Sequence, residues 1–229
     1  MNRTRRWHRR VGVMATWTMC ALAGAQETGT STAERDGWPA DTRGNIPRMT
    51  KPTVIDGKIS ADEWREAAEF NAQVSQVAPH SFYPRSVVWH LAWDEQTIYL
   101  ASRTPLLPNE RPKRLARVPV GTTVMFDDTL ELWLDPKGRN EGKELASYFQ
   151  AMINCLGITY YCRLFPKVAA RSDDWHPDWK IATQIDDKNM EVEIAMPIKD
   201  FYLTQPNKAG DVWGMNLARN FMFQNWNQS

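Results

Sequence analysis

The sequence predicts an all-β protein: an antiparallel β-sandwich of the jelly-roll type with one short helix near its N-terminus. Apolar and polar residues alternate over several short segments, which is the period of a half-buried strand. Turns rich in Gly, Asp, Asn and Pro separate these segments, and no long stretch has helical periodicity. About eight or nine predicted strands with a single helix favour a sandwich over an α/β fold.

Residues 1–25 have the features of an export signal. Five arginines precede an apolar run over residues 11–23, and Ala23-Gly24-Ala25 supplies an A-x-A cleavage site. The run is too short and too poorly flanked for a membrane-spanning helix. We therefore expect export to the periplasm or the extracellular space with cleavage before Gln26; a retained anchor is the alternative.

Cleavage would change the charge balance. The full chain has 28 Lys and Arg against 27 Asp and Glu, and five of the arginines lie in the signal, so 23 basic residues would remain and the net charge would move from +1 to −4. No basic patch is left to argue for nucleic acid. The mature length suffices for one sizeable core.

Residues 26–51 are rich in Thr, Gly, Ser, Asp and Pro and lack hydrophobic periodicity, which indicates a flexible leader. A single domain is expected over residues 52–229. In its first part, the capping-box pattern Ser60-Ala-Asp-Glu63 predicts a short helix that runs to Glu69. Trp64 is expected to anchor this helix in the core.

Strand periodicity begins at Ser86, and the turn after Asp94 predicts a hairpin that returns over residues 97–103. A loop rich in Pro and Arg follows. Further strands are predicted at residues 127–136, 147–154, 158–165, 179–185, 190–196 and 212–219.

The strand over residues 127–136 has two different faces. Leucines at 130, 132 and 134 form a core stripe, whereas Glu131, Trp133 and Asp135 face the other way. Carboxylates beside a flat ring can hydrogen-bond and stack on a sugar or bind a hard cation. On the strand 148–154, Gln150 and Asn154 share a face and could line the same surface as Glu131. Solvated polar residues are the alternative for each of them.

Nine tryptophans remain after cleavage, and three of them are candidate stacking rings. Besides Trp133, these are Trp175, in a loop with three acids, and Trp226, among Gln and Asn side chains that suit hydroxyl-rich ligands. The tryptophans at 64, 89, 93, 179 and 213 fit strand or helix patterns and are expected in the core.

Sequence motifs for catalysis are absent. The chain has no G-x-S-x-G elbow, no histidine pair at metal-ligand spacing and no Gly-rich phosphate loop. A two-carboxylate glycosidase built from Glu131, Glu191 and Glu193 remains an alternative, although acids on a solvated strand face are the commoner explanation.

Acidic residues next to the same strand could hold calcium. Asp127, Asp128 and Asp135 offer oxygen ligands, although their spacing is not that of an EF-hand loop. Solvated acids have the same sequence pattern, so calcium remains open.

Two cysteines, Cys155 and Cys162, would remain in the exported chain. An oxidising compartment permits a bridge, but a turn at Leu156-Gly157 places Cys162 across from about Ala151. A disulfide is therefore left open.

Taken in order, six blocks resemble the family 9 carbohydrate-binding modules, and the similarity covers residues 52–226. The blocks are residues 52–59, Glu63-Trp64, residues 88–99, residues 127–136, residues 191–197 and residues 210–219. The resemblance implies a noncatalytic sandwich that binds mono-, di- or polysaccharides of the glucan or xylan type. Such modules are often attached to a glycoside hydrolase and often carry calcium.

The resemblance also assigns residues. Glu131 matches the acid on the family's central strand, and Asn154 matches the amide that closes the next. The family sandwiches a sugar between two tryptophans; Phe126 stands at the first position, and the second falls near Trp226. Members usually continue into a further strand, so the domain is expected to lack its last strand. The alternatives are a structural or cell-envelope interaction domain without a sugar site, or a haem-binding relative with Met and His axial ligands.

Overall fold

The computed structural model describes residues 44–74, 82–116, 122–136, 147–165 and 168–221, which form a β-sandwich of two five-stranded antiparallel sheets. Sheet 1 has the order β1-β2-β3-β9-β8 and sheet 2 the order β10-β4-β5-β6-β7. The strands are β1 Ala68–Val74, β2 Phe82–Trp93, β3 Thr97–Pro105, β4 Thr129–Asp135, β5 Tyr148–Asn154, β6 Thr159–Phe165, β7 Ala170–Ser172, β8 Lys180–Ile185, β9 Asn189–Pro197 and β10 Gly214–Asn220. Two short 3₁₀ turns lie at Thr122–Phe126 and Ile198–Phe201. None of the helical segments within these ranges could cross a membrane.

The main core lies between the two sheets. The three leucines of β4 are essentially inaccessible to solvent, and they face the apolar residues Met190, Val192, Ile194 and Met196 of β9. In both strands every second residue points inward, as period-two alternation requires. The leucine face predicted from the sequence is thus confirmed.

The outer face of sheet 1 is covered by residues 46–67, which we call the N-terminal strap. Its apolar side chains form a second buried cluster with three residues of the sheet. The cluster consists of Met49, Ile55, Ile59 and Trp64 from the strap and Ala92, Tyr99 and Ala101 from the sheet. Trp64 is 3% exposed, and its indole Nε1 donates a hydrogen bond to Glu193 at 2.7 Å. Its predicted position in the core is confirmed, although it anchors the strap and not a helix.

The predicted helix from Ser60 to Glu69 does not form. One half of the capping box is present, because the Glu63 backbone N–H donates to the Ser60 hydroxyl at 3.4 Å; the hydroxyl in turn donates to the Glu63 carboxylate at 2.7 Å. Only turns follow, and Ala68 already pairs with Leu91 as the first residue of β1. Strand pairing therefore overrides the local helical signal.

The folded unit begins at Gly44, before the expected boundary at Pro52. Met49 is 4% exposed, and its backbone N–H donates to the Trp93 carbonyl at 2.8 Å. Residues 44–51, which the sequence assigned to the leader, thus belong to the domain. The predicted signal segment lies outside the described residues.

The two cysteines are both free and buried, on opposite sides of sheet 2. Cys155 packs in the core between the sheets, whereas Cys162 packs with Val124 and Met152 on the outer face. A sheet separates the two sulfurs, so they do not form a bridge. Burial raises the pKa of both thiols.

Candidate functional site

A cluster of polar residues around a tryptophan lies on the outer face of sheet 2. Strand register creates it: Asn216 of β10, Trp133 of β4 and Gln150 of β5 form one row across the sheet, and Glu131 lies in the next row. Ala218 of β10 pairs with Glu131, and Asn220 lies two residues further along β10 on the same face. We call this set the Glu131 site; its members are Glu131, Trp133, Gln150, Asn216 and Asn220.

The Glu131 carboxylate is the centre of the site. Its Oε1 accepts hydrogen bonds from the Trp133 indole Nε1 at 2.8 Å and from the Gln150 amide nitrogen at 2.5 Å. Its Oε2 accepts from the Asn220 amide nitrogen at 2.8 Å. Bonds to an ionised acceptor are stronger than neutral ones, so Glu131 fixes the orientation of one ring and two amides.

The amide of Gln150 is held from both ends. Its nitrogen donates to Glu131, and its oxygen accepts from the Cys162 thiol at 3.1 Å. Asn220 donates to both Glu131 and the Thr129 hydroxyl, the latter at 3.3 Å. These contacts preorganise the face before any ligand arrives, which lowers the entropy cost of binding.

This arrangement suits a hydroxylated ring. The Trp133 side chain is half-buried and held at its edge, and Asn216 beside it is exposed. A flat aromatic surface can pack on the C–H face of a sugar, while neighbouring amides bond its hydroxyls. The predicted juxtaposition of Glu131 and Gln150 is present.

Asn154 does not share this surface. It is fully buried, and its amide nitrogen donates to Asp127 at 2.9 Å. Its oxygen accepts from the backbone N–H groups of Leu156 and Ile158 at 2.9 and 3.0 Å. Asn154 shapes the turn between β5 and β6, so its predicted sugar contact is wrong in this structure.

Trp175 is a core residue, and its predicted role as a stacking surface is wrong. It is 2% exposed, and its ring centroid lies 4.7 Å from that of Phe149 and 5.5 Å from that of Trp179. Its indole Nε1 donates to the Asp200 carbonyl at 2.8 Å. Both faces of the ring are thus covered by protein.

Phe126 lies at the end of the 3₁₀ turn 122–126 and is 56% exposed. Val124 of the same turn packs on Met152 and Cys162, so the turn covers the β5 and β6 side of the outer face. The ring of Phe126 is therefore free to contact a ligand at the border of this face. Trp226 falls outside the described residues.

The calcium candidates are largely engaged in other contacts. Asp127 is fully buried, and its two oxygens accept from the backbone N–H groups of Leu115 and Ala116 and from the Asn154 amide. Asp128 pairs with Arg219 at 3.5 Å. Hydrogen-bond donors thus occupy the Asp127 oxygens that a cation would need, so Asp127 does not fit a calcium site as arranged; calcium at Asp128 or Asp135 stays a prediction. Across the described ranges, no cluster of three or more His, Cys, Asp or Glu side chains could hold a metal; calcium elsewhere stays a prediction.

The carboxylates of the alternative glycosidase lie on opposite sides of the sandwich. Glu191 and Glu193 point to the outer face of sheet 1, where they bond Arg103 and Trp64. Glu131 lies on the outer face of sheet 2. A glycosidase pair needs carboxyl groups about 5 to 10 Å apart across one bond, so this arrangement rules out Glu131 with either of them.

Sequence reasoning missed Asn216 and Asn220. The signal was present in the strand Gly214–Asn220, where alternation places Asn216, Ala218 and Asn220 on one face. The missing information was that β10 pairs with β4 and not with another strand.

No family model and no curated protein matches the chain. Among solved structures, it is similar to a proposed carbohydrate-binding protein from Bacteroides uniformis, with a TM-score of 0.58 and 14% identity over 78% of this chain and 83% of that one. A family 9 carbohydrate-binding module from Caldicellulosiruptor kristjanssonii in complex with glucose gives a TM-score of 0.48 at 13% identity, over 75% of this chain and 74% of that chain. Its cellotriose complex gives the same score and identity, over 75% and 73%. The likeness to the Bacteroides protein shows the fold and confirms the predicted sandwich.

Proposed function

We propose that this protein is a noncatalytic carbohydrate-binding module and that the Glu131 site is its sugar site. A sugar ring stacks on Trp133, and the amides of Gln150, Asn216 and Asn220 bond its hydroxyls. The observation that carries the proposal is the triple hydrogen bond to Glu131, which fixes a half-buried indole and two amides on an open sheet face.

The site supports binding better than catalysis. Both oxygens of Glu131 already accept hydrogen bonds from its neighbours, and a second carboxylate within reach of it is absent among the residues of the site. Such a site can hold a ring, but it lacks the acid and base that hydrolysis requires.

The proposal also covers where the protein acts and which polysaccharide it binds. Export through residues 1–25, attachment to a glycoside hydrolase and recognition of glucan or xylan chains follow from the signal pattern and the sequence resemblance. Protein mass and N-terminal sequencing of secreted material would test export separately from binding.

The sugar site can be tested by titration calorimetry with glucose, cellotriose and xylotriose. We expect heat from at least one of them, and Trp133→Ala lowers the affinity about tenfold because the stacking surface is lost. Glu131→Gln also weakens binding, since an amide cannot accept from all three donors. The control is Tyr202→Ala, which removes another exposed ring, 52% accessible, outside the site. No heat from any sugar with folded protein would contradict the proposal and favour an interaction domain of the same fold.

A further inference from the structure

A cavity lies on the opposite side of the sandwich, between the N-terminal strap and the outer face of sheet 1. Its volume is about 340 Å³, enough for one six-membered ring with substituents. Its walls comprise Ile59, Ser60, Ala61, Trp64, Arg65, Ala67, Glu69, His90 and Arg103. We propose that this cavity is a second binding site, for a small hydroxylated carboxylate such as a uronic acid.

Polar side chains from three strands contribute to the floor of the cavity. Glu69 of β1 pairs in register with His90 of β2, and Arg103 of β3 lies two residues beyond Ala101, the partner of His90. His90 Nε2 is buried and has no hydrogen-bond partner within the described residues. Buried polar atoms are normally satisfied, so a ligand hydroxyl next to this ring would satisfy it after a small shift.

Two guanidinium groups, those of Arg65 and Arg103, contribute to this lining. Arg103 donates through Nε to Glu191 at 2.5 Å and through Nη2 to the Ile59 carbonyl at 2.7 Å, which holds its plane and leaves Nη1 for a ligand. Arg65 is exposed and makes no hydrogen bond or ion pair with any described residue. A ligand carboxylate can accept charge-assisted hydrogen bonds from Arg65 and from Nη1 of Arg103, whose own charge is already balanced by Glu191.

The other residues that line the cavity indicate what the rest of the ligand must look like. Glu69 can accept hydrogen bonds from ligand hydroxyls, and its charge disfavours a doubly charged group such as a phosphate ester more strongly than a single carboxylate. The indole of Trp64 is locked by its bond to Glu193 and supplies, with Ile59 and Ala61, an apolar wall for ring carbons. A carboxylate on a hydroxylated ring matches all of these groups together.

The test is titration of sodium glucuronate into the full chain that carries Trp133→Ala, which removes stacking at the Glu131 site. We expect saturable binding that weakens as NaCl rises from about 0.05 to 0.5 M, since screening reduces the attraction between the charges. Arg65→Gln should lower the affinity about tenfold through loss of a charge-assisted bond. The matched control is Arg111→Gln, because Arg111 is also exposed but lies outside the cavity.

Two further ligands define the chemistry: glucose lacks the carboxylate, and acetate lacks the ring. Neither should displace glucuronate at equal concentration. The proposal is overturned if glucuronate does not bind, if Arg65→Gln and Arg111→Gln behave alike, or if glucose or acetate competes equally. Failure of glucose, cellotriose and xylotriose all to bind the unmodified chain would count against the Glu131 site only, so the two proposals fail independently.

Discussion

At the scale of single residues, Glu193 shows how one buried acid holds a layer of the protein in place. It is fully buried, and it accepts hydrogen bonds from the Trp64 indole at 2.7 Å and from the backbone N–H groups of Gly57 and Asp56 at 2.8 and 3.0 Å. Burial raises the pKa of this carboxyl above its usual value of 4.5. Three donors therefore stabilise an ion that desolvation disfavours.

Glu193→Gln should lower the free energy of unfolding by about 2 to 3 kcal/mol near pH 7. The new amide N–H₂ group cannot accept hydrogen bonds, so it would face the backbone N–H donors without bonding them.

The stability that Glu193 contributes should also depend on pH. Between the unfolded pKa near 4.5 and the raised folded pKa, the folded state keeps a proton that the unfolded state has released. The contribution of Glu193 to stability is thus largest at low pH and falls as the pH rises through this window.

Urea unfolding at several pH values from about 4.5 to 8 measures this effect. The wild-type curve should decline more with rising pH than that of Glu193→Gln. Glu95→Gln is the control, since Glu95 is 47% exposed and forms a surface ion pair. Parallel curves for wild type and Glu193→Gln would disprove the assignment of the pH dependence to this residue.

Residue roles were only partly predictable from the sequence. Alternation correctly separated the leucines of β4 from Glu131, because period two follows from strand geometry alone. It could not show that Glu193, on an equally alternating strand, is covered by the strap whereas Glu131 is half open. The burial of Trp175 is hidden from the sequence for the same reason: its loop composition is polar, but its ring packs on Phe149 of β5 and on Trp179.

At the scale of elements, the turn at Asp56-Gly57 determines how closely the strap approaches sheet 1. Gly57 has a φ of 91°, and a Cβ on it would lie 2.9 Å from the carbonyl carbon of Thr183 in β8. Gly210 has a similar φ of 89°, but a Cβ there would meet nothing within 4 Å. Gly57 and Gly210 thus form a matched pair: both have a positive φ, but only Gly57 lies in close contact with another strand.

Gly210→Ala should therefore cost about 1 to 2 kcal/mol of unfolding free energy from its positive φ alone. Gly57→Ala should cost at least about 2 kcal/mol more, since the methyl group also pushes the strap away from Thr183 and weakens the bonds to Glu193. Thermal and urea unfolding of the two variants give the comparison. If the two variants lose equal free energy of unfolding, the strap accommodates the methyl group and its close contact with Thr183 does not contribute to stability.

The missing helix after Ser60 shows where prediction from local sequence stops. The local helix-start signals do form contacts: Ser60 bonds Glu63, and the Trp64 backbone N–H donates to the Ser60 carbonyl at 3.2 Å. A single turn has little stability of its own. Pairing of residues 68–72 with β2 supplies several backbone bonds at once, and this gain is invisible in the local sequence.

At the scale of the whole molecule, the two outer faces of the sandwich are covered to different extents. The strap closes much of sheet 1 and leaves the cavity that Trp64 lines, whereas the turn 122–126 covers the β5 and β6 side of sheet 2. Within the part of the chain that the structure describes, the side chains of the Glu131 site on β10, β4 and β5 stay partly exposed. The sequence predicted this sandwich and its inward faces, but the covering layers depend on contacts between residues more than 100 positions apart.

The strap also sets the boundary of the folded unit, and this can be tested by truncation. A chain that starts at Pro52 loses Met49 from the second core cluster, the backbone bonds of Pro47 and Met49 to Trp93, and the contact of the Trp93 indole with the Ile46 carbonyl at 2.9 Å. Burial of a methionine alone contributes about 2 kcal/mol. We expect the free energy of unfolding of this chain to be about 3 to 4 kcal/mol lower than that of a chain that starts at Gly44. The lost hydrogen bonds account for the part of this difference that the methionine does not.

A control separates these contacts from surface charge. In the chain that starts at Gly44, Arg48→Gln removes only the exposed ion pair with Glu95 and should cost less than about 1 kcal/mol. Equal stability of the chains starting at Gly44 and Pro52 would place the boundary at Pro52, as the sequence predicted. A large loss for Pro52 with a small one for Arg48→Gln would instead assign the strap's contribution to contacts other than the surface ion pair, because both changes remove that pair but only the truncation removes Met49 and the bonds to Trp93.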